Sequence, residues 1–443
     1  MKISVIGTGY VGLIQGTVLA DFGHEVLCMD TDNDKIKDLQ AGSIPFYEPG
    51  VQSLLHKNIS ANKISFTSDI KQATEHGDIL FIAVGTPSEE DGSADVQQVL
   101  KAASEIGSLM NGNKVIVIKS TVPIGTGRRV ADLIRSKLTE RRVEFHIDFV
   151  SNPEFLREGN ALQDMLRPTR VIIGTDNRDI VPLMNKLYSF YESSEVPFVI
   201  TDIETAEMIK YASNAFLAVK ISFINEIALI AEKAGANVLE IAAAMGMDER
   251  ISPHFLQAGP GYGGSCFPKD TKAFAYTARS MGEMTYVIQA AIDANEKQKL
   301  RMVDKITAAL SSDGNLHGKT IAVLGLSFKP ETDDIREAPS IDIISNLIRK
   351  GAIIRAYCPG AMTQAQRRLK EVTSSVTYAK DEIDCAAGAD ALVIMTEWKQ
   401  FLHMDLEQIR YRMSGNVLLD LRNILVRRPE VRRLFDYRPI GLK

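Results

Sequence analysis

Cys266 lies in Gly259-Pro260-Gly261-Tyr262-Gly263-Gly264-Ser265-Cys266-Phe267-Pro268-Lys269-Asp270, a run too rich in glycine for the interior of a helix or strand. Such a loop permits positive φ and lets a ligand approach the main chain closely. Lys269 and Asp270 follow the thiol within four residues. A thiol becomes thiolate most readily beside cations and amides, so Lys269 can help make Cys266 a nucleophile. A glycine turn around a small packed thiol is the plainer reading of the same residues. On its own, Asp270 can as well cap a helix N-terminus and do no chemistry. Lys210 and Asn214, four apart, share one face of any helix that carries them. A lysine there can stabilise a developing oxyanion, but from the residues alone a lysine snorkelling at the edge of a packed helix is the more usual case.

A second chemical signal opens the chain. Gly7-Thr8-Gly9-Tyr10-Val11-Gly12 follows the strand-like Ile3-Ser4-Val5-Ile6 and precedes a helical pattern. In such a turn Gly7 permits the bend, Gly9 the approach of a pyrophosphate and Gly12 the packing of helix on strand. The helix N-terminus then faces the phosphates. The next strand ends at Asp30, where an acid can hold the ribose hydroxyls. Its charge repels a 2′-phosphate, so NAD is expected rather than NADP; Lys35, five residues on, weakens that discrimination. Gly325-Leu326-Ser327-Phe328-Lys329-Pro330 marks a similar turn late in the chain, with Phe328 and Lys329 where phosphate-binding glycines would stand. It suits a different ligand, with Lys329 for phosphate and Phe328 for a ring face. A surface lysine beside a packed aromatic explains it equally well.

The elements that must position these residues follow from periodicity. Ile3–Ile6, Glu25–Met29, Ile79–Val84 and Val115–Ile118 alternate with helical patterns, which predicts a parallel sheet covered on both faces. Lys319–Gly325, Ile353–Tyr357, Ala391–Met395 and Val417–Asp420 repeat that order. Between the halves, Thr201-Asp202-Ile203-Glu204 has capping-box spacing. It opens a proline-free helix of roughly 30 residues, about 45 Å, expected to end near Ala234-Gly235. A helix of that length links domains and offers a dimer surface. The predicted fold is α/β, with two Rossmann-like parallel-sheet domains joined by a long central helix and a helical dimerisation region. The expected divisions are 1-200 for NAD, 201-300 for dimerisation and 301-443 for a second ligand.

Composition narrows the function. With 51 basic and 56 acidic residues the net charge is −5, which argues against a nucleic-acid binder. The four cysteines form no CxxC and suit a reducing compartment; the seven histidines have no zinc spacing, so no metal is expected. Met1-Lys2 runs straight into a strand pattern, and no apolar run reaches membrane-spanning length. A cytoplasmic protein is expected.

Seven separated motifs in order give the chain its resemblance to a known family: Gly7–Gly12, Val84–Pro87, Ser120–Thr126, Ser151–Gly159, Lys210–Glu226, Gly259–Asp270 and Gly325–Pro330. Together they resemble the UDP-glucose/GDP-mannose dehydrogenase family over essentially the whole length. The resemblance implies NAD-dependent four-electron oxidation of a sugar C6 alcohol, here UDP-glucose to UDP-glucuronate, without release of the aldehyde. The same chemistry on UDP-N-acetylmannosamine or GDP-mannose is the alternative. It implies that Cys266 forms a thiohemiacetal and then a thioester, that Lys210 and Asn214 contact the reacting oxygen, and that Thr121 and Asp270 position water. Glu154 is implied in acid–base work and thioester hydrolysis. For NAD the matching positions are Gly7, Gly9, Tyr10, Val11, Gly12, Asp30, Lys35, Thr86, Thr121, Glu158, Lys269 and Arg336. For the nucleotide sugar they are Glu154, Phe155, Leu156, Lys210, Asn214, Phe255, Leu256, Gln257, Ala258, Gly259, Gly263, Phe328, Lys329 and Arg422. Arg250 matches an arginine that reaches into a partner subunit's site, so a homodimer or higher homo-oligomer is implied. Gln257 departs from a commoner basic residue, and Cys358-Pro359 from a commoner Asp-Pro. A simple hydroxyacid dehydrogenase would need neither Cys266 nor the third segment, and an inactive NAD-binding scaffold would not need the full polar set.

Overall fold

The computed structural model describes residues 1–194 and 196–442. The chain forms two compact units, one of Met1–Ser213 with Lys272–Gly282, the other of Asn214–Thr271 with Glu283–Lys443.

The first unit is built on eight strands: β1 (Lys2–Ile6), β2 (Glu25–Met29), β3 (Ile64–Thr67), β4 (Ile79–Ile82), β5 (Lys114–Ile118), β6 (Ile147–Ser151), β7 (Val171–Gly174) and β8 (Phe198–Thr201). Their order is β3-β2-β1-β4-β5-β6-β7-β8, parallel except at the β6–β7 contact. The inner strands are apolar at successive positions because both faces are covered. In β4, Ile79 and Phe81 enter one core while Leu80 and Ile82 enter the other. The strand order reverses between β1 and β4, which opens a crevice at their carboxyl ends, the usual ligand position in such sheets.

The second unit carries β9 (Thr320–Leu324), β10 (Ile353–Tyr357), β11 (Val376–Tyr378), β12 (Ala391–Ile394), β13 (Val417–Asp420) and β14 (Asp436–Pro439). All are parallel, in the order β11-β10-β9-β12-β13-β14. The repeat read from the sequence pairs β1, β2, β4 and β5 with β9, β10, β12 and β13, and these occupy equivalent places in the two sheets. The outer strands were not anticipated. β11 has only three residues, too few to show a period.

The central helix spans Ile203–Ala234, 32 residues. Its cap differs from the expected box. Thr201 is the last residue of β8, and Asp202 caps instead, its Oδ1 accepting from the amide of Thr205 at 2.7 Å. The helix ends as expected, with Gly235 at φ 73° and the amide of Ala236 donating to the carbonyl of Ala231. One turn in, Glu207 reaches the start of the helix Thr126–Arg141. Its carboxylate accepts from the amides of Gly125 (2.6 Å) and Gly127 (2.7 Å), donors that the helix cannot satisfy itself. Burial pushes this carboxyl up to about 7 against the lowering pull of both amides. The pair fixes the segment that follows Thr121.

One expectation about this helix needs correction. By length and composition it is apolar enough to cross a membrane, with 44% of its apolar window buried within the chain. Ile224, Ala228 and Ala231 are part of the second unit's core, which accounts for part of that apolar content. Lys210 and Lys220 interrupt the run in sequence, which is why it does not read as one apolar block.

Candidate active site

In the first unit, Gly7, Gly9, Asp30, Lys35, Val84 and Gly85 line a cavity of about 300 Å³ at the β1/β4 crevice. Gly7 adopts φ 100°, and a side chain there would collide with the main chain of Ala83. Beside Gly9 the space is open, so a ligand can reach its main chain. Asp30 Oδ2 accepts from the Thr8 amide (2.9 Å), the Thr8 hydroxyl (2.8 Å) and Lys35 Nζ (3.0 Å). Burial tends to raise this carboxyl, but those donors outweigh it and hold Asp30 below its usual range. It is a fixed anion at the end of β2. These residues fit the adenosine end of NAD: an open glycine for the phosphates and a charged acceptor for ribose.

Because Lys35 already pairs with Asp30, Asp30→Ala both removes the repulsion toward a 2′-phosphate and releases a cation that can attract it. The variant is expected to narrow the NAD-over-NADP ratio of kcat/KM by roughly 5- to 150-fold, from a loss of about 1–3 kcal/mol. An unchanged ratio would mean that Asp30 is not the discriminator.

Thr86 and Thr121 meet, the hydroxyl of Thr86 donating to the carbonyl of Thr121 at 2.9 Å. Tyr10 is tied elsewhere. Its hydroxyl donates to Glu48 and accepts from the amide of Gly159, next to Glu158. Val11 sits in the first turn of the helix Tyr10–Asp21.

Glu154 and Lys210 form a buried ion pair in this unit, Nζ to Oε1 3.1 Å, with side-chain exposures of 6% and 4%. Glu154 Oε2 accepts from the amide of Leu156 at 2.5 Å. The Phe155 ring has the Arg170 guanidinium 3.9 Å and Lys210 Nζ 5.2 Å from its centroid. Removing one partner of such a pair leaves a buried charge uncompensated, so each fixes the other.

In the second unit, Cys266 is half-buried at the start of the helix Phe267–Ser280. Cys28 and Cys385 are buried, and burial pushes both thiols up to about 12, which makes them inert by comparison. Asp270 is 1% exposed. Asn214 Nδ2 donates to its Oδ2 at 2.6 Å and Lys269 Nζ to its Oδ1 at 2.6 Å. The capping alternative for Asp270 fails, because it lies inside the first turn and its carboxylate is taken by those side chains. Gly264 adopts φ 85°, and a Cβ there would meet the Phe328 ring at 2.8 Å. A Cβ on Gly259 would meet the Arg422 guanidinium at 2.8 Å. Arg422 also donates to the carbonyls of Met395 and Phe328. Lys329 Nζ lies 5.6 Å from the Phe328 ring centroid. A Cβ on Gly263 would meet the carbonyl of Glu337. Cation, guanidinium, ring face and closely packed glycine main chain are thus collected at the β9 turn.

Not every residue named from the sequence joins these clusters. Leu256 and Ala258 point into the core, so the stretch Phe255–Gly259 offers a ligand mainly its backbone. Gln257 is exposed. The Arg336 side chain is exposed and pairs with Asp334 at 2.8 Å, while its carbonyl accepts from the amide of Gly264 in the cysteine loop. Arg250 has an 89% exposed side chain paired with Asp248.

Two contributors were missed. Lys119 is buried and donates to Asn152 Oδ1 at 3.0 Å, an atom that also accepts from the Tyr188 hydroxyl at 2.6 Å. Burial lowers its pKa to about 8, with the field of Glu154 opposing. Its position directly before Ser120-Thr121 was the available signal. Glu48 accepts from the amides of Gly159 (2.6 Å) and Ala161 (2.8 Å), strapping the segment after Glu154 to Tyr10. Nothing in the sequence around Glu48 points to that.

Three family models match in order. They describe the UDP-glucose/GDP-mannose dehydrogenase family: NAD binding domain over residues 1–192, central domain over 204–297 and UDP binding domain over 322–427. The UDP-glucose 6-dehydrogenase of Rhizobium meliloti (strain 1021) is 45% identical over 444 residues, covering 100% of this chain and 99% of that one. The UDP-glucose 6-dehydrogenase TuaD of Bacillus subtilis (strain 168) is 45% identical over 96% of this chain and 89% of its own. Among solved structures, a UDP-glucose dehydrogenase from the hyperthermophilic archaeon Pyrobaculum islandicum superposes with a TM-score of 0.90 at 35% identity, covering 100% of this chain and 98% of that one. Matching family domains along the chain, with a full-length relative at 45% identity, place it in the UDP-glucose/GDP-mannose dehydrogenase family.

Proposed function

We propose that this chain oxidises UDP-glucose to UDP-glucuronate with NAD, retaining the intermediate aldehyde on Cys266. The observation that carries the reading is full-length 45% identity to a UDP-glucose 6-dehydrogenase. The half-buried Cys266 four residues before an Asp270 held by Asn214 and Lys269 supports it.

The glycine turn, Asp30 and Thr86 would hold NAD, with Lys35, Thr121, Glu158, Lys269 and Arg336 as further contacts, and the cofactor would supply the two-electron acceptor for each of two oxidations. The chain's own residues do the rest. Lys210 and Asn214 hold the C6 oxygen as charge develops on it. The Cys266 thiolate adds to the aldehyde carbon, and the carbonyl oxygen takes up a proton, giving a thiohemiacetal. Its oxidation leaves a thioester. Water positioned by Thr121 and Asp270, and deprotonated with help from Glu154, adds to the carbonyl and expels the thiolate, leaving the carboxylate. The Lys210 ammonium beside Glu154 stabilises the oxyanion of that step. Arg422, Lys329 and the Phe328 ring hold the nucleotide, with the main chain of Phe255–Gly259 and Gly263.

The divisions 1-200, 201-300 and 301-443 then correspond to cofactor, dimer and nucleotide-sugar functions in a cytoplasmic enzyme. Phe216, Phe223 and Ile230, spaced by seven along the central helix, are exposed at 64%, 44% and 63%. A heptad-spaced apolar stripe is what a helix presents to a partner helix, which supports a homodimer.

Incubation with UDP-glucose, UDP-N-acetylmannosamine and GDP-mannose tests the reading. Two NADH per UDP-glucose are expected, with no aldehyde intercepted by a trapping reagent. One NADH per sugar, trapped aldehyde carrying most of the flux, or a higher kcat/KM for either other sugar would overturn it.

A further inference from the structure

A cavity of about 730 Å³ lies in the second unit, away from the β9 turn, between the helices Tyr286–Leu310, Pro339–Arg349 and Met362–Arg368. Five cationic and two acidic side chains line it, in a chain whose net charge is −5. Both acids are engaged. Lys299, 4% exposed, donates to Glu296 at 2.9 Å and to Asp342 at 2.8 Å. Arg349 donates to the neutral Asn346 at 3.2 Å. Among the described residues no carboxylate pairs with Arg367 or Arg368. All three stand in the last turns of their helices, where a cation suits the dipole, but they come from two different helices and converge on one space. Guanidinium groups from two elements around one cavity are the arrangement that recognises phosphate oxygens. The volume falls in the range of small-molecule sites.

The walls of this cavity also hold the cysteine loop. On the helix Tyr286–Leu310, Glu296 and Lys299 face the cavity, and Asn295 and Gln298 occupy the adjacent face. Asn295 Oδ1 accepts from the amide of Tyr262 (2.8 Å), and its Nδ2 donates to the Tyr262 carbonyl (3.1 Å). Gln298 donates to the Gly259 carbonyl at 2.8 Å. Just before the helix Pro339–Arg349, the carbonyl of Arg336 accepts from the amide of Gly264 at 2.8 Å.

We infer that this cavity is an effector site for a small polyphosphate, bound by Arg349, Arg367 and Arg368 and coupled through Lys299 and its helix to the loop Gly259–Gly264. The anion competes with Glu296 and Asp342 for Lys299, and any shift of that helix moves Asn295 and Gln298 with it. A nucleoside triphosphate and an inorganic polyphosphate share this chemistry.

The test is calorimetric titration of inorganic tripolyphosphate, and separately ATP, into the full chain saturated with NAD and UDP so that the two nucleotide sites are filled. Binding is expected, and the double variant Arg367→Gln/Arg368→Gln should weaken it at least about tenfold, the loss of one or more charge-assisted hydrogen bonds. Both arginines are exposed, so the variant keeps its fold. Tighter binding of ATP would identify a nucleotide and equal binding a phosphate chain; either supports the site. Hydrogen exchange at the amides of Tyr262 and Gly264 should change on tripolyphosphate addition to wild type and not to the variant. No binding, or equal affinity in the variant, overturns the site. Binding with unchanged exchange overturns the coupling. None of these readouts depends on which sugar the protein oxidises.

Discussion

Cys266→Ser is expected to lose steady-state UDP-glucuronate formation by roughly three orders of magnitude or more, as removal of a nucleophile that acts with its neighbours does. NAD affinity should stay near its wild-type value, because Cys266 is not among the residues proposed to hold the cofactor and serine is nearly isosteric with it. A serine hydroxyl is a weaker nucleophile at neutral pH, and an oxygen ester is slower to hydrolyse in a site tuned to expel a thiolate. The variant should therefore stall at the acyl stage, once its serine hemiacetal has been oxidised, and mass spectrometry of the stalled protein should find an ester at residue 266. Turnover at the wild-type rate would remove Cys266 from the mechanism. Unaltered stability is expected too, since the thiol is half-buried and fills no core position.

Activity should return when two inactive variants are mixed. Arg250 has the exposed side chain required of a residue that works in a neighbouring subunit. Arg250→Ala and Cys266→Ser homodimers are each expected to be nearly inactive. In a mixed dimer one site carries both lesions and the other carries neither. Random pairing makes about half of the dimers mixed and leaves half of their sites intact, so about a quarter of wild-type activity is expected. The measurement is activity after co-refolding, with native mass spectrometry to count heterodimers. Heterodimers no more active than their parents would put Arg250 in its own subunit's site or outside the chemistry.

The sequence by itself determined a good deal. The doubled α/β order was legible because buried parallel strands are continuous apolar runs and the turns between them need glycine. The cofactor turn was legible because its parts, Gly7 to Gly12 and Asp30, are separated by one strand–helix–strand unit. Cys266, Lys269 and Asp270 stood out because they are neighbours in the chain, and Lys210 with Asn214 because helical spacing joins them. The cap of the central helix was misread by one residue, since Thr201 and Asp202 are both good caps and the extent of β8 chose between them.

Only the tertiary structure decided which charges face each other. The Lys210–Glu154 and Asn214–Asp270 pairs each join residues 56 apart. Glu207 finds its amides 80 and 82 residues back, and Glu48 finds those of Gly159 and Ala161 more than 100 residues ahead. Such partners leave no periodic trace, because a single carboxylate on a helix or loop looks the same whether solvent or a buried donor satisfies it. The difference is set by burial, where an unmet charge or amide costs free energy that water would otherwise supply. Burial is a property of the packed chain, so those assignments exist only after the sheets have formed.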